Sequence, residues 1–199
     1  MKKLLVVFAA CGIVLACNNP VAEKIKETRQ NVKNTKNAVE EMKDMQKDLE
    51  KLKNETPLTN DELKAWLPDE VLGMQRISFK AGQTAFMKIA SIEATYANED
   101  KSKTFKVQVI DGAGEMGAAA TAGMRILFSQ DFEEETENSS KRTVKKDGVK
   151  AVEEYWKNNN NSSIQFMQDD RFYIKADGKN MDLDETWNAV EELGADDLG

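Results

Sequence analysis

The chain predicts an α+β fold: an antiparallel sheet with one face covered by two or three helices, set behind a long N-terminal helix. Three observations predict it. Residues 21–53 contain neither Gly nor Pro and repeat apolar residues at alternating steps of four and three, the period of a helix in a coiled-coil seam. From residue 77 onward, short segments alternate apolar and polar side chains, the period of strands with one face buried. Between them stand turn signals such as Asp147-Gly148, which close hairpins without the helical crossovers a parallel sheet needs.

The first segment reads "MKKLLVVFAACGIVLAC", with two lysines ahead of an unbroken apolar run from Leu4 to Ala16. This is the layout of a secretory signal, and the run is too short for a membrane span, which needs about 20 residues. Val14, Leu15, Ala16 and Cys17 resemble the lipobox of bacterial lipoproteins. The resemblance implies that residues 1–16 are a signal peptide, that Cys17 carries lipid, and that residues 17–20 form the lipidated N-terminus of a membrane-anchored chain. Cleavage before Cys11 would leave too short an apolar run. In enteric lipoproteins an Asp after the lipidated cysteine retains the protein at the inner membrane; Asn18 stands there, so the resemblance implies the outer membrane of the cell envelope. Both cysteines of the chain, Cys11 and Cys17, lie in this segment, so no disulfide is expected beyond it.

In residues 21–53 the seam runs through Val21, Ile25, Thr28, Val32, Thr35, Val39 and Met42, then slips by one at Met45 before Leu49 and Leu52. Two successive steps of three are a stammer. Such a helix is marginal alone in water and needs a surface for its seam: a second copy, a partner helix or the C-terminal domain. Residues 1–53 resemble the short murein lipoproteins, in which a lipidated cysteine leads a helical coil. Those proteins attach to the wall through a C-terminal lysine; "ADDLG" ends this sequence, so that route is not expected.

Thr56 and Pro57 end the helix, and residues 54–199 read as one α+β domain with a core of ordinary size. Thr59 or Asn60 caps a short helix bearing Leu63, Trp66 and Leu67, stopped by Pro68. Strands follow at Ile77–Phe79, Ile92–Tyr96 and Phe105–Val109. "KRTVKK" and "VKAVEEYW" pair across Asp147-Gly148, and "SIQFMQ" and "RFYIKA" across Asp169-Asp170. A last helix starts at Asp182 or Asp184, buries Leu183, Trp187 and Val190, and ends at Gly194. In order of elements this domain is similar to the small α+β domains of periplasmic and thylakoid-lumen proteins such as the photosystem assembly factor family.

"VIDGAGEMGAAA", residues 109–120, carries Gly112, Gly114 and Gly117 in the G-x-G-x-x-G spacing of dinucleotide sites, with Asp131 placed as the later acid. Ending the helix before a strand at Met124 would leave about 15 Å of helix, too little for a parallel crossover with its loops. The alternative is an unbroken helix from about Glu115 to Ser129. Met116, Ala120, Gly123 and Leu127 would then face the sheet, Gly117, Ala119 and Gly123 would permit close approach, and Asp111 and Glu115 would sit at its positive end. This packing role is the expected one.

The chain has no histidine and carries 28 Lys and Arg against 35 Asp and Glu, with 17 against 28 from residue 54 on. The first fact removes the commonest general base and transition-metal ligand. The second excludes nucleic acid as a partner on electrostatic grounds. Asp131, Glu133, Glu134 and Glu135 lack the spacing of a calcium loop and read as a solvated loop. Trp66, Trp156 and Trp187 read as core, and "NNNNSS" as a polar hairpin loop. The sequence predicts no catalytic, cofactor or metal residue, and one modified residue, Cys17. The expected function is a lipid-anchored, non-enzymatic envelope protein with a helical spacer and a binding domain. Its alternatives are a nucleotide-dependent enzyme using the GAGEMG segment and a carrier of a hydrophobic ligand.

Overall fold

A computed structural model of the chain describes residues 43–83 and 89–199. Cys17, the signal segment and stalk residues 21–42 lie outside the described residues. Residues 43–54 are helical (α1), and Met45–Gly199 forms one compact unit. That unit takes in residues 45–53, which the sequence reading gave to the stalk. Seam residue Leu52 is buried in it, and Met45 and Leu49 are half-buried.

Helix α2 (Asn60–Trp66) begins at a capping box: Thr59 Oγ1 accepts from the Glu62 amide, and the Glu62 carboxylate accepts from the Thr59 amide at 2.7 Å. Two of the helix's orphan donors are thereby satisfied. The hydrogen bonds it receives hold the Glu62 carboxyl below its ordinary value. Pro68 cannot continue a helix, so Leu63 and Leu67 turn into the core.

Among the described residues nine strands form one sheet: β1 (Glu70–Val71), β2 (Met74–Gln83), β3 (Ala90–Ala97), β4 (Thr104–Asp111), β5 (Glu133–Glu135), β6 (Ser139–Lys146), β7 (Val149–Trp156), β8 (Asn161–Gln168) and β9 (Phe172–Lys179). Every neighbouring pair is antiparallel, and the order is β1-β2-β3-β4-β9-β8-β7-β6-β5. Two meanders therefore lie side by side and meet where β4 pairs with β9. The β8–β9 hairpin turns on Asp169 and Asp170, both near φ +50°, the left-handed pair that matches the twist of the strands.

Helix α3 (Gly114–Ser129) joins the meanders. It starts after β4 in the middle of the sheet and delivers the chain to β5 at its edge. Five strand spacings are about 24 Å, and a sixteen-residue helix spans about 24 Å. The helix is thus a crossbar over the second meander, matched in length to the distance it covers.

Register places Ile92, Val109, Ile174 and Phe166 in one row across β3, β4, β9 and β8, and Ala94, Val107, Ala176 and Ile164 in the next. Helices α2 and α4 (Leu183–Glu192) cover this face and share its core through Leu63, Trp187 and Val190. On the opposite face Phe128 of α3 packs with Val152 and Tyr173, the Phe128 and Tyr173 rings stacking at 6.4 Å. The helices are therefore divided between the two faces, whereas the sequence reading put them on one.

The strands expected from alternation are all present. A bulge between Arg76 and Ser78 of β2 interrupts the expected alternation of Ile77 and Phe79 and leaves both exposed. Phe79 lies under two cations, Lys64 Nζ at 5.2 Å and the Arg76 guanidinium at 5.6 Å.

Candidate functional site

The glycine-rich segment resolves first. Strand β4 is flanked by β3 and β9, both antiparallel to it, and "MRILFS" is the second half of α3. The segment is not the first unit of a parallel sheet, and Asp131 does not close a second strand: it ion-pairs with Lys150 at 2.7 Å. Each motif glycine has a local cause. A Cβ on Gly117 would stand 2.5 Å from the Asp111 carbonyl oxygen, and one on Gly112 would stand 2.6 Å from that of Arg171. Gly114 adopts φ +77° where the chain turns into the helix, a conformation that favours glycine.

The packing face of α3 differs from the expected one. Gly117, Ala118, Thr121 and Phe128 are buried, while Met116, Ala120 and Gly123 are exposed and Leu127 is half-buried. A Cβ on Gly123 would meet nothing within 4 Å, so its lack of bulk serves no packing. The side chain of Arg125 also lies inward, only 8% exposed, with Nη2 donating to the Asp170 carbonyl. Burial pulls its guanidinium below the ordinary value, and its Nε finds no partner among the described residues.

Asp111 does more than flank a helix end. Its side chain is fully buried and accepts four hydrogen bonds: from Arg171 Nε and Nη2 at 2.8 Å each, from the Leu58 amide at 2.8 Å and from the Ala113 amide at 2.9 Å. All its acceptor sites are used, which a buried carboxylate requires. Arg171 reaches on to the Thr56 carbonyl and to Glu55, and its hydrogen bonds to Asp111 raise its pKa. This node ties the α1–α2 link to the centre of the sheet and the β8–β9 turn. Beside it lies an open cleft of about 310 Å³ whose wall includes Asp48, Lys51, Asp169 and Phe172.

The acidic run is solvated as expected, but only part of it is loop. Glu133, Glu134 and Glu135 form β5 at the sheet edge, where successive side chains point to opposite faces and cannot converge on one ion. Glu135 is paired with Lys157 at 2.8 Å, which lowers its carboxyl pKa. Among the described residues, no group of three or more His, Cys, Asp or Glu side chains could hold a metal ion. "NNNNSS" is only partly a turn, since Asn161, Ser162 and Ser163 belong to β8. Of the three tryptophans, Trp187 is in the core and Trp66 packs half-buried against it with Nε1 donating to the Gly194 carbonyl at 2.9 Å. Trp156 is half-buried and belongs to neither apolar cluster.

One concavity combines the features of a ligand site. Between the β6–β7 turn and the C-terminal end of α4 is a pocket of about 120 Å³. Trp187, Phe166, Val149 and Val190 provide its apolar wall. The Trp187 ring is fixed from three sides: Nε1 donates to buried Glu153 at 2.7 Å, Phe166 lies 5.8 Å away, and Lys146 Nζ stands 4.7 Å from the ring centre. Glu153 in turn accepts from Arg142 Nε at 3.1 Å, so its charge is paired. Lys146 also pairs with Glu191 at 2.7 Å across the rim. Gln168, 8% exposed, lines the pocket as well. Sequence reasoning missed Glu153 and Gln168. Their signal was parity: each stands at an inward position of its strand, in the series Ala151, Glu153 and in the series Ile164, Phe166, Gln168.

No known family matches the sequence, and no curated protein matches it. Among solved structures, a GTP binding regulator from Thermotoga maritima is similar with a TM-score of 0.32 and 14% identity, covering 68% of this chain and 84% of that one. A likeness this loose supports no inference about fold or function.

Proposed function

We propose that the chain is a lipid-anchored protein of the cell envelope whose α+β domain binds a ligand without transforming it. Cys17 holds the outer membrane, the stalk residues ahead of Met45 set the distance, and the domain presents its pocket to the surroundings. The observation that carries this reading is the segment from Lys2 to Cys17, in which charge, apolar run and cysteine follow the lipobox order. Among the described residues no helix is long and apolar enough to cross a membrane, which is compatible with a lipid as the attachment.

The binding role is supported by the pocket beside Trp187. A nucleotide enzyme would need a parallel unit around Gly112, Gly114 and Gly117, and β4 has antiparallel neighbours on both sides. A carrier of long acyl chains would need more room: about 120 Å³ between sheet and α4 falls below the roughly 300–1,000 Å³ of pockets for drug-sized ligands.

The test is Cys17→Ala with metabolic labelling by a radioactive fatty acid. The wild-type chain should be labelled, cleaved before Cys17 and retained with membranes; the variant should be unlabelled and keep residues 1–16. Cleavage and membrane retention surviving in the variant would overturn the anchor.

A further inference from the structure

The polar groups around the Trp187 pocket share one character. Glu191, Asp147 and Asp196 supply carboxylates and Gln168 supplies an amide, and the indole supplies the negative face of its ring. The single cation among the lining residues is Lys146, and it already sits where a cation is favoured: 4.7 Å from the Trp187 ring centre and 2.7 Å from Glu191. The protein thus carries its own example of what the pocket accepts. An engineered apolar cavity of roughly 150 Å³ accommodates benzene, so about 120 Å³ admits a body of similar or slightly smaller size.

We infer that this pocket binds a primary ammonium on a short aliphatic stem, whether a lysine side chain of a polypeptide or a free alkylamine. The stem lies against Val149, Val190 and Phe166. The ammonium takes the place of Lys146 over the indole, with Gln168 Oε1 and the Glu191 carboxylate as acceptors. Lys146 is the resident competitor, released toward solvent when the ligand enters. The inference rests on the domain being a binding module and is independent of the lipid on Cys17, so the labelling experiment and the one below fail separately.

The experiment titrates the ¹⁵N-labelled full chain with 1,5-diaminopentane and with Nα-acetyl-lysine methylamide, following the Trp187 indole N–H and the Gln168 side-chain amide. Nα-acetyl-norleucine methylamide, which keeps the stem and lacks the charge, is the control. Both signals should shift and saturate in the millimolar range. Lys146→Ala should tighten binding by about tenfold, the factor that roughly 1.4 kcal/mol of cation–π and ion-pair competition represents. Glu191→Gln should weaken it severalfold. Gln168→Leu should weaken binding severalfold, because it removes a carbonyl acceptor for the ammonium. Saturation by the lysine amide alone assigns the source to a polypeptide, and by the diamine alone to a free amine. Equal binding of the norleucine control, or no saturation by either amine with Lys146→Ala, overturns the inference.

Discussion

Arg171 and Asp111, 60 residues apart, are joined by two hydrogen bonds of 2.8 Å, and the carboxylate is fully buried. Breaking such a pair from one side leaves a charge facing groups that no longer match it. In Asp111→Asn the new amide nitrogen would oppose the donors of Arg171, Leu58 or Ala113. The expected loss is about 3 kcal/mol, less than for a wholly enclosed pair because the Arg171 side chain is one-fifth exposed. Urea denaturation should show a lower midpoint with an unchanged slope. Asp111→Asn combined with Arg171→Met should recover part of the loss; a loss below about 1 kcal/mol for the single change would show that the node is not a major contributor.

The three glycines on or just before α3 separate packing from mere permissiveness. Gly117→Ala and Gly112→Ala place a Cβ 2.5 and 2.6 Å from backbone oxygens. Neither oxygen can move without displacing the β4 end or the β8–β9 turn, so each change should cost about 1–3 kcal/mol. Gly123→Ala meets open space on an exposed helical turn and should stabilise by about 0.5–1 kcal/mol through helix propensity. Thermal melts of the three variants check the ordering, and stabilisation by Gly117→Ala would contradict the close approach of α3 to β4.

The orientation of α3 can be tested by placing charge on its two faces. Ala120→Glu, on the exposed side, should change stability by less than about 0.5 kcal/mol. Ala118→Glu would bury a carboxylate at a fully enclosed position and should cost several kcal/mol or prevent folding. The reverse result would restore the face made of Met116, Ala120, Gly123 and Leu127.

That face shows where sequence reasoning stops. Strands β3, β4, β8 and β9 were legible because period-two alternation follows directly from one buried face, and α2 and α4 because Thr59 and Asp182 head capping boxes. Helix α3 offered two apolar stripes of nearly equal strength, and small residues on both. What selects between them is not hydrophobicity but the inward Arg125, which reaches the Asp170 carbonyl on the β8–β9 turn, and the steric demand at Gly117. Both depend on long-range pairing of β4 with β9, which no local window contains. The pocket was equally hidden, since Lys146, Gln168 and Trp187 come from three elements brought together only by the sheet and α4.

Tyr173 predicts how the fold responds to alkali. It lies buried under Phe128, its hydroxyl donates to Gln165 Oε1 at 2.9 Å, and burial, with a smaller contribution from the Asp177 charge, pushes its pKa from 10.0 up to about 12. The native state therefore holds this proton more tightly than the unfolded chain does. Its contribution is whole below pH 10 and is lost as the pH rises from 10 toward about 12. At 1.36 kcal/mol per pH unit the ceiling on that loss is about 2–3 kcal/mol. Tyr173→Phe keeps the ring against Phe128 and removes the proton, at the cost of about 1 kcal/mol near neutrality for the lost hydrogen bond. Stability measured by urea melts between pH 9 and about 11.5 should fall more steeply for the wild type than for the variant, the wild-type advantage shrinking and then reversing as the pH rises. Parallel curves would mean that the phenol ionises as easily in the folded chain as in the unfolded one, and that α3 does not seal it from water.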